Sequence, residues 1–304
     1  MSSPLRTGLS GRVVADYGRQ YEVRIEAPSG GLNLLLCSPR GKKSIYACGD
    51  EVEVDATSDT QGVINILHPR RSLCYRSDAF KEKLIAVNVT QVVLVTATEP
   101  GFSDELLIRC LCALEAQKIN GLIVLNKCDL KNHLQRGRDL LAPFVRLGHP
   151  VLELSAHAGD LEALRKQLSG QVTLLVGQSG MGKTTLTNAL VPEAIARTGL
   201  VSETLSSGKH TTTHSRWYDL PQGGALIDSP GLQAFGLAHL SREQIEEGFR
   251  DLRPYRGQCR FRDCQHDHEP HCALRGALAA GALDSRRFQV LQTLLAEHRR
   301  KPKF

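Results

Sequence analysis

The chain has 304 residues, 41% hydrophobic and 23% charged, with a formal net charge of +6. That length allows two or three small domains with a sizeable buried core, and excludes a disordered or disulfide-stapled miniprotein. No apolar run reaches membrane-spanning length, and Met1-Ser2-Ser3-Pro4-Leu5-Arg6 lacks the apolar core of a signal peptide, so a cytoplasmic protein with no membrane partner is expected.

From residue 1 to 68, short apolar runs alternate with turn residues and no helical stripe intervenes. The runs lie at 11–14, 21–25, 32–37, 52–54 and 63–66. Period-two alternation predicts a small all-β unit of about five strands, for which an OB-type barrel is the natural candidate at this size. Six of the nine cysteines, Cys37, Cys48, Cys74, Cys110, Cys112 and Cys128, sit among apolar segments and read as small buried hydrophobes in a reducing compartment.

From 69 to 232 the texture becomes strand–helix–strand. Strands are expected at 92–95, 121–125, 151–154, 172–176 and 225–227, with helices at 104–117, at 161–168 and from Lys183 onward. Apolar strands alternating with helices imply a doubly wound, mainly parallel sheet. From 233 to 304 the chain is helical and polar, with a helix expected over 241–252. It is then rich in cysteine and histidine, then helical again, and ends in a basic tail.

Gly177-Gln178-Ser179-Gly180-Met181-Gly182-Lys183-Thr184 fits G-x-x-x-x-G-K-[ST], with an apolar strand before it and a helix after it. Such a loop turns backbone N–H groups onto phosphates. Lys183 supplies charge to the β- and γ-phosphates, the Thr184 hydroxyl is a Mg²⁺ ligand, and Thr185 follows in the same first helical turn. Asn126-Lys127-Cys128-Asp129 follows a strand. Its aspartate can accept hydrogen bonds from the N1–H and exocyclic amine of guanine, a pair that adenine lacks. Ser155-Ala156, also at a strand end, suits backbone support of the base. Asp228-Ser229-Pro230-Gly231 fits D-x-x-G, with Asp228 toward Mg²⁺ and the Gly231 N–H near the γ-phosphate. Between these lies Gly208-Lys209-His210-Thr211-Thr212-Thr213. One of its threonines is expected to complete the Mg²⁺ shell; the residues do not say which, and Thr212 is carried as the candidate.

An ordinary GTPase runs phosphate loop, switch threonine, D-x-x-G, N-K-x-D, S-A. Here the order is N-K-C-D, S-A, phosphate loop, T-T-T, D-S-P-G. Chain termini often lie close together, so joining them and opening the chain elsewhere preserves a sheet; this order is a circular permutation. With the barrel and the Gly-Lys-His-Thr-Thr-Thr run, the chain resembles the ribosome small-subunit-dependent GTPase A family of circularly permuted bacterial GTPases. The resemblance implies an N-terminal OB-fold over 1–68, a permuted GTPase over 69–232 and a helical zinc-binding domain over 233–304. It also implies late maturation of the small ribosomal subunit, with 16S rRNA as a contact. Nothing in the sequence suggests a dimer, so a monomer is expected.

Cys259-x₄-Cys264-x-His266-x₅-Cys272 supplies three thiolates and one imidazole, a soft donor set suited to a closed, structural Zn²⁺ site. His268 and His271 compete for the histidine role on spacing alone, and the family resemblance selects His266. Arg70, Arg71, Arg76 and the tail from Arg299 are candidate phosphate contacts. The position after D-x-x-G, where many GTPases carry a water-orienting glutamine, is Leu232. A slow intrinsic enzyme is expected, with His210 assigned alongside Lys183 to catalysis.

Overall fold

The computed structural model describes residues 7–26, 32–41, 45–77, 82–191, 215–229, 234–237 and 239–300. Five strands open it: β1 (Leu9–Asp16), β2 (Tyr21–Glu26), β3 (Leu32–Pro39), β4 (Glu51–Ala56) and β5 (Gln61–Leu67). β1 pairs with both β2 and β4, β2 with β3, and β4 with β5, all antiparallel, while β3 and β5 run parallel. The ring 1-2-3-5-4-1 therefore closes, leaving no open edge. Alternation along β2 turns Tyr21, Val23 and Ile25 inward, where they pack with Val13, Leu35, Cys37, Val52, Val54 and Ile64. Below the barrel, buried Asp50 receives both Arg70 Nε and Nη2 at 2.7 Å.

A hairpin, β6 (Leu73–Ser77) with β7 (Glu82–Val87), follows the barrel. It is joined by a short strand, β14 (Ala234–Phe235), from much later in the chain. The sequence reading had no strands here.

The central sheet comprises β8 (Gln91–Ala97), β9 (Asn120–Asn126), β10 (Val151–Glu153), β11 (Val172–Val176), β12 (Arg216–Asp219) and β13 (Ala225–Asp228). Its order is β10-β9-β8-β11-β13-β12, parallel except for the β12–β13 pair. On one face lie α1 (Asp104–Gln117) and α2 (Lys131–Arg146), through residues such as Leu107, Leu111, Leu141 and Phe144. On the other lie α3 (Glu162–Leu168) and α4 (Lys183–Leu190), through Leu164, Leu168, Leu186 and Leu190. Every residue of β8 is buried, as a strand covered on both faces requires.

The C-terminal region consists of α5 (Arg242–Glu247), a 3₁₀ segment (Arg250–Tyr255), α6 (Ala273–Ala279) and α7 (Ser285–Arg300). Ser241 opens α5 with a capping box: its Oγ accepts from Gln244 N and its own N–H donates to Gln244 Oε1. The single helix expected over 241–252 is broken at Gly248 and Phe249, and Pro254 sits in the tighter segment that follows. These helices share a core with the α1 face of the sheet, where Ile245, Phe249, Phe288 and Leu291 join Leu111, Cys112 and Ile123. Charge pairs seal the edge: Arg286 forks onto Asp104 at 2.8 and 2.9 Å, and Arg253 reaches Glu115 at 2.7 Å. Cys37, Cys48, Cys74, Cys110 and Cys112 are buried as expected, and Cys128 is half-buried.

The chain passes tightly against α1 at Gly248. A Cβ there would lie 2.5 Å from the Cys112 carbonyl oxygen and 2.6 Å from its Sγ. Gly276, inside α6, faces open space. Gly248→Ala is expected to cost about 1–3 kcal/mol in urea unfolding, whereas Gly276→Ala gains up to about 1 kcal/mol from helix propensity. Equal effects at the two positions would contradict this packing.

Candidate functional site

The parallel strands all end on one edge, and the motif residues lie along it. β9 ends in Asn126, β11 runs into Gly177, and β13 ends in Asp228; Ser155 lies two residues beyond β10. In register, Leu175 pairs with Asp228, and Ala97 with Asn126. Ligands of open α/β sheets bind in the crevice at this carboxyl edge.

Gly177 is buried against β8, where any Cβ would fall on the Val95 carbonyl oxygen. Gly182 has φ +92°, and a Cβ there would fall on the amide nitrogen of Asn126. Past it, α4 begins at Lys183, with Thr184 and Thr185 exposed in the first turn. Ser179 and Gly180 are exposed, and Met181 is buried beneath the loop. Lys183 folds across the loop, its Nζ donating to the carbonyls of Gly177 at 2.7 Å and Gln178 at 2.9 Å. Burial lowers its pKa and Asp228 opposes the fall. Asp228 is affected in the opposite direction: burial raises its carboxyl to about 6, against the pull of Lys183. A cation here would stabilise the ionised carboxylate, so the pair suits a phosphate-bound divalent ion.

Asn126 joins three loops. Its side chain is almost wholly buried. Nδ2 donates to the Met181 carbonyl at 2.9 Å, and Oδ1 accepts from Ala156 N at 3.0 Å. Lys127 takes a left-handed backbone (φ 62°), and its Nζ donates to the Glu99 carbonyl at 2.8 Å. Cys128 N–H is held by the Leu154 carbonyl at 3.1 Å, which brings the S-A segment beside it. Asp129 stands exposed, with Oδ1 accepting from Ser155 Oγ at 2.6 Å; this bond lowers its pKa and keeps it ionised. Among the described residues, Oδ2 of Asp129 has no hydrogen-bond partner. An ionised carboxylate with a free oxygen at the rim can accept from two donors on a planar base.

Two supports were not legible in the sequence. Gln178 Oε1 accepts from Ser103 N at 2.8 Å, tying the glycine-rich loop to the N-cap of α1. Thr98 Oγ1 donates to the Lys127 carbonyl at 2.9 Å and braces the Asn126–Asp129 turn. Thr98 belongs to no motif and Gln178 fills an unspecified position of the glycine-rich loop, so only the sheet order brings these two contacts in. His210, Thr212 and Gly231 lie outside the described residues.

The cysteine and histidine donors converge as well. Nδ1 of His266 lies 3.6 Å from Cys259 Sγ, 3.6 Å from Cys264 Sγ and 3.4 Å from Cys272 Sγ. Cys259 and Cys272 sulfurs are 3.9 Å apart, and all four donor atoms fall within 4.8 Å of one another. Metal bonds of about 2.3 Å to sulfur and about 2.0–2.1 Å to nitrogen set tetrahedral donors about 3.6–3.8 Å apart, so the cluster fits such an ion. His268 and His271 are exposed and outside the group. Nε2 of His266 lies 3.3 Å from Glu246 Oε1. The expected arginine contacts fare differently: Arg70 is locked on buried Asp50, Arg71 pairs with Glu51 at 2.9 Å, and Arg299 donates to Gln265 at 2.9 Å. Arg70 is therefore a structural strut rather than a free phosphate contact.

Comparison with known proteins agrees with this geometry. The family model described as RsgA GTPase matches residues 67–238. A Burkholderia pseudomallei (strain K96243) protein named small ribosomal subunit biogenesis GTPase RsgA is 49% identical over 290 residues, covering 94% of this chain and 91% of its own. The chain belongs to the RsgA GTPase family. A Nitrosospira multiformis relative of the same name is 47% identical over 97% of this chain and 91% of its own. Among solved structures, YjeQ from Thermotoga maritima superposes with a TM-score of 0.70 at 26% identity, covering 97% of this chain and 99% of that one. YloQ, described as a circularly permuted GTPase, gives 0.68 at 26% identity over 98% of each chain. The permuted order of motifs in this chain matches the description of that neighbour, and the chain is a GTP hydrolase.

Gly182 is the position where loop, backbone and Asn126 compete for the same space. Gly182→Ala is expected to displace Asn126 and weaken binding of a fluorescent GTP analogue about tenfold or more. Gly101→Ala, which faces open space, leaves binding unchanged. Wild-type affinity in the Gly182 variant would contradict the bridging role of Asn126.

Proposed function

We propose that this chain is a GTPase of small ribosomal subunit assembly that binds the subunit, acts late in its maturation and hydrolyses GTP faster when docked. The observation that carries the nucleotide reading is the Asn126 bridge, which joins the phosphate-type loop, the base-reading turn and the Ser155-Ala156 segment through one buried amide. Support for the subunit comes from the names of relatives about half identical over almost the whole chain.

In this reading, residues 177–184 wrap the phosphates with backbone N–H groups, and Lys183 releases its two loop carbonyls to bind the β- and γ-phosphate oxygens. Asn126, Lys127, Cys128 and Asp129, with Ser155 and Ala156, hold the guanine, and Asp129 reads its N1–H and amine. Mg²⁺ bound with GTP would neutralise phosphate charge, held by Thr184, Thr212 and Asp228. Gly231 meets the γ-phosphate, and Thr185 borders the α- and β-phosphates. Hydrolysis is in-line attack by water, with positioning and charge stabilisation supplying the rate. His210 orients that water on the docked subunit, since Leu232 cannot.

Cys259, Cys264, His266 and Cys272 hold one structural Zn²⁺; three thiolates and an imidazole leave no open position for a reacting water. The chain divides at 1–68, 69–232 and 233–304, and the barrel contacts 16S rRNA. It works as a cytoplasmic monomer away from membranes; no helix among the described residues is long and apolar enough to span one.

Asp129→Asn exchanges an acceptor for an amide donor. It should lose GTP affinity at least about a hundredfold and gain binding of xanthosine triphosphate, which presents a carbonyl where guanine has its amine. Calorimetry that finds GTP bound unchanged, or ATP bound as well as GTP by the wild type, overturns the base reading. His210→Ala is expected to keep GTP affinity and to lose most of the turnover stimulated by purified small subunits. An unchanged stimulated rate removes His210 from the mechanism, and absence of any stimulation in the wild type removes the subunit.

A further inference from the structure

The two ring nitrogens of His266 face different chemistry. Nδ1 points into the three sulfurs at 3.4–3.6 Å. Nε2, on the far side, lies 3.3 Å from Oε1 of Glu246, a residue of α5 twenty positions earlier in the chain. That carboxylate is itself held: Arg242, one turn before it, donates Nε to the same Oε1 at 2.8 Å. The other arm of Arg242 donates to the carbonyl of Cys264, another member of the cluster. Gln292 of α7 fixes the backbone of His266 through its carbonyl at 3.1 Å. Glu246 is 15% exposed and lies outside the group of metal-facing donors.

We propose that Glu246 is the orienting partner of this metal centre, accepting the Nε2–H of His266 and thereby presenting Nδ1 as the ligand, with Arg242 holding the carboxylate in place. This rests on the metal reading given above. A neutral imidazole has one N–H donor and one lone pair, and the hydrogen bond made by one nitrogen decides which nitrogen meets the metal. Without the carboxylate, the ring can exchange tautomers or flip, moving the donor atom away from the tetrahedral position set by the three sulfurs. The Arg242–Glu246–His266 chain also makes α5, rather than the Cys/His loop itself, the element that presents the fourth ligand. Because α5 is packed on α1 through Cys112 and Gly248, the metal centre is keyed to the GTPase core and not only to its own loop.

The test uses the full-length protein with Co²⁺ as a spectroscopic probe and Zn²⁺ in competition with a chromophoric chelator. Glu246→Ala is expected to lower Zn²⁺ affinity about 10–100-fold. Glu246→Gln, which keeps an acceptor oxygen at nearly the same place, should show a smaller loss. Long-range ¹H–¹⁵N spectra of the zinc-loaded wild type should show His266 protonated at Nε2 with slow exchange of that proton, and Glu246→Ala should speed the exchange, a change that a purely structural role for Glu246 would not produce. Wild-type affinity in Glu246→Ala, or spectra showing Nε2 bound to metal, overturns the proposal while leaving the metal reading intact. Wild-type protein that gives no stoichiometric cobalt–thiolate absorption overturns the metal reading itself, and this proposal with it. Circular dichroism of both variants at saturating zinc separates loss of affinity from loss of fold.

Discussion

Strand β11 lies hydrogen-bonded between β8 and β13, and all three run the same way. Parallel pairing puts every carboxyl end on one edge, so the residues that follow those strands meet whatever their order along the chain. Gly177 comes after β11, Asp228 ends β13, and Asn126 ends β9 one strand beyond β8. A circular permutation changes which strand comes first but not which strands are neighbours. The site therefore survives an order of motifs that would look scrambled from the sequence alone. The Asn126 amide depends on this edge, because it reaches Met181 and Ala156 only if β8, β9 and β10 are stacked beside β11 in register.

The same sheet continues into the barrel. β12 pairs with β13 on one side, and its first residue meets Ala15 of β1 on the other. Side chains reinforce the junction: Arg216 reaches Glu22 at 3.3 Å, and Arg24 pairs with Asp219. Trp217 meets two guanidiniums of the barrel, with Arg12 at 4.8 Å and Arg24 at 6.0 Å from the ring centroid. Cation–π contacts of this kind contribute about 0.5–2 kcal/mol each. β12 follows residues 192–214, the stretch that contains His210 and the threonine run, and it leads through a tight turn into β13 and Asp228. The barrel is thus fastened to the strand that lies, along the chain, between the threonine run and Asp228.

Where the chain carries strong local signals, sequence reasoning reached the right structure. Alternating burial in β2 and β4, the apolar runs of β8 and β11, and the Gly-rich loop ahead of α4 were each readable because one physical requirement dominates each segment. α2 was not readable. Its N-cap, Leu130, makes no side-chain cap, its first turns are polar, and only Gly137, Leu141 and Phe144 are buried. β12 was hidden for a different reason: a four-residue strand that pairs with the central sheet on one side and the barrel on the other has no periodicity of its own. Arg70 misled because charge is visible in sequence and its buried partner Asp50 is not. Spacing alone did not separate His266 from His268 and His271; in the fold Nδ1 of His266 stands among the sulfurs while the other two are exposed.

The C-terminal helices are not an appendage to this arrangement, because they complete the core under α1. Leu111 and Cys112 pack with Ile245, Phe249 and Leu291 in the same apolar cluster as Leu94 and Leu174 of the central sheet. Cys112 Sγ donates to the Ile245 carbonyl at 3.3 Å, and Gly248 lets α5 approach so closely that no side chain fits between. At its other end, α1 is capped by Ser103, whose N–H holds Gln178 of the glycine-rich loop. One 14-residue helix therefore touches the glycine-rich loop at its start and the C-terminal helices along its length. A rigid helix transmits displacement rather than absorbing it. The loop and the C-terminal helices are thus held by one rigid element, as the barrel and the central sheet are held by β12.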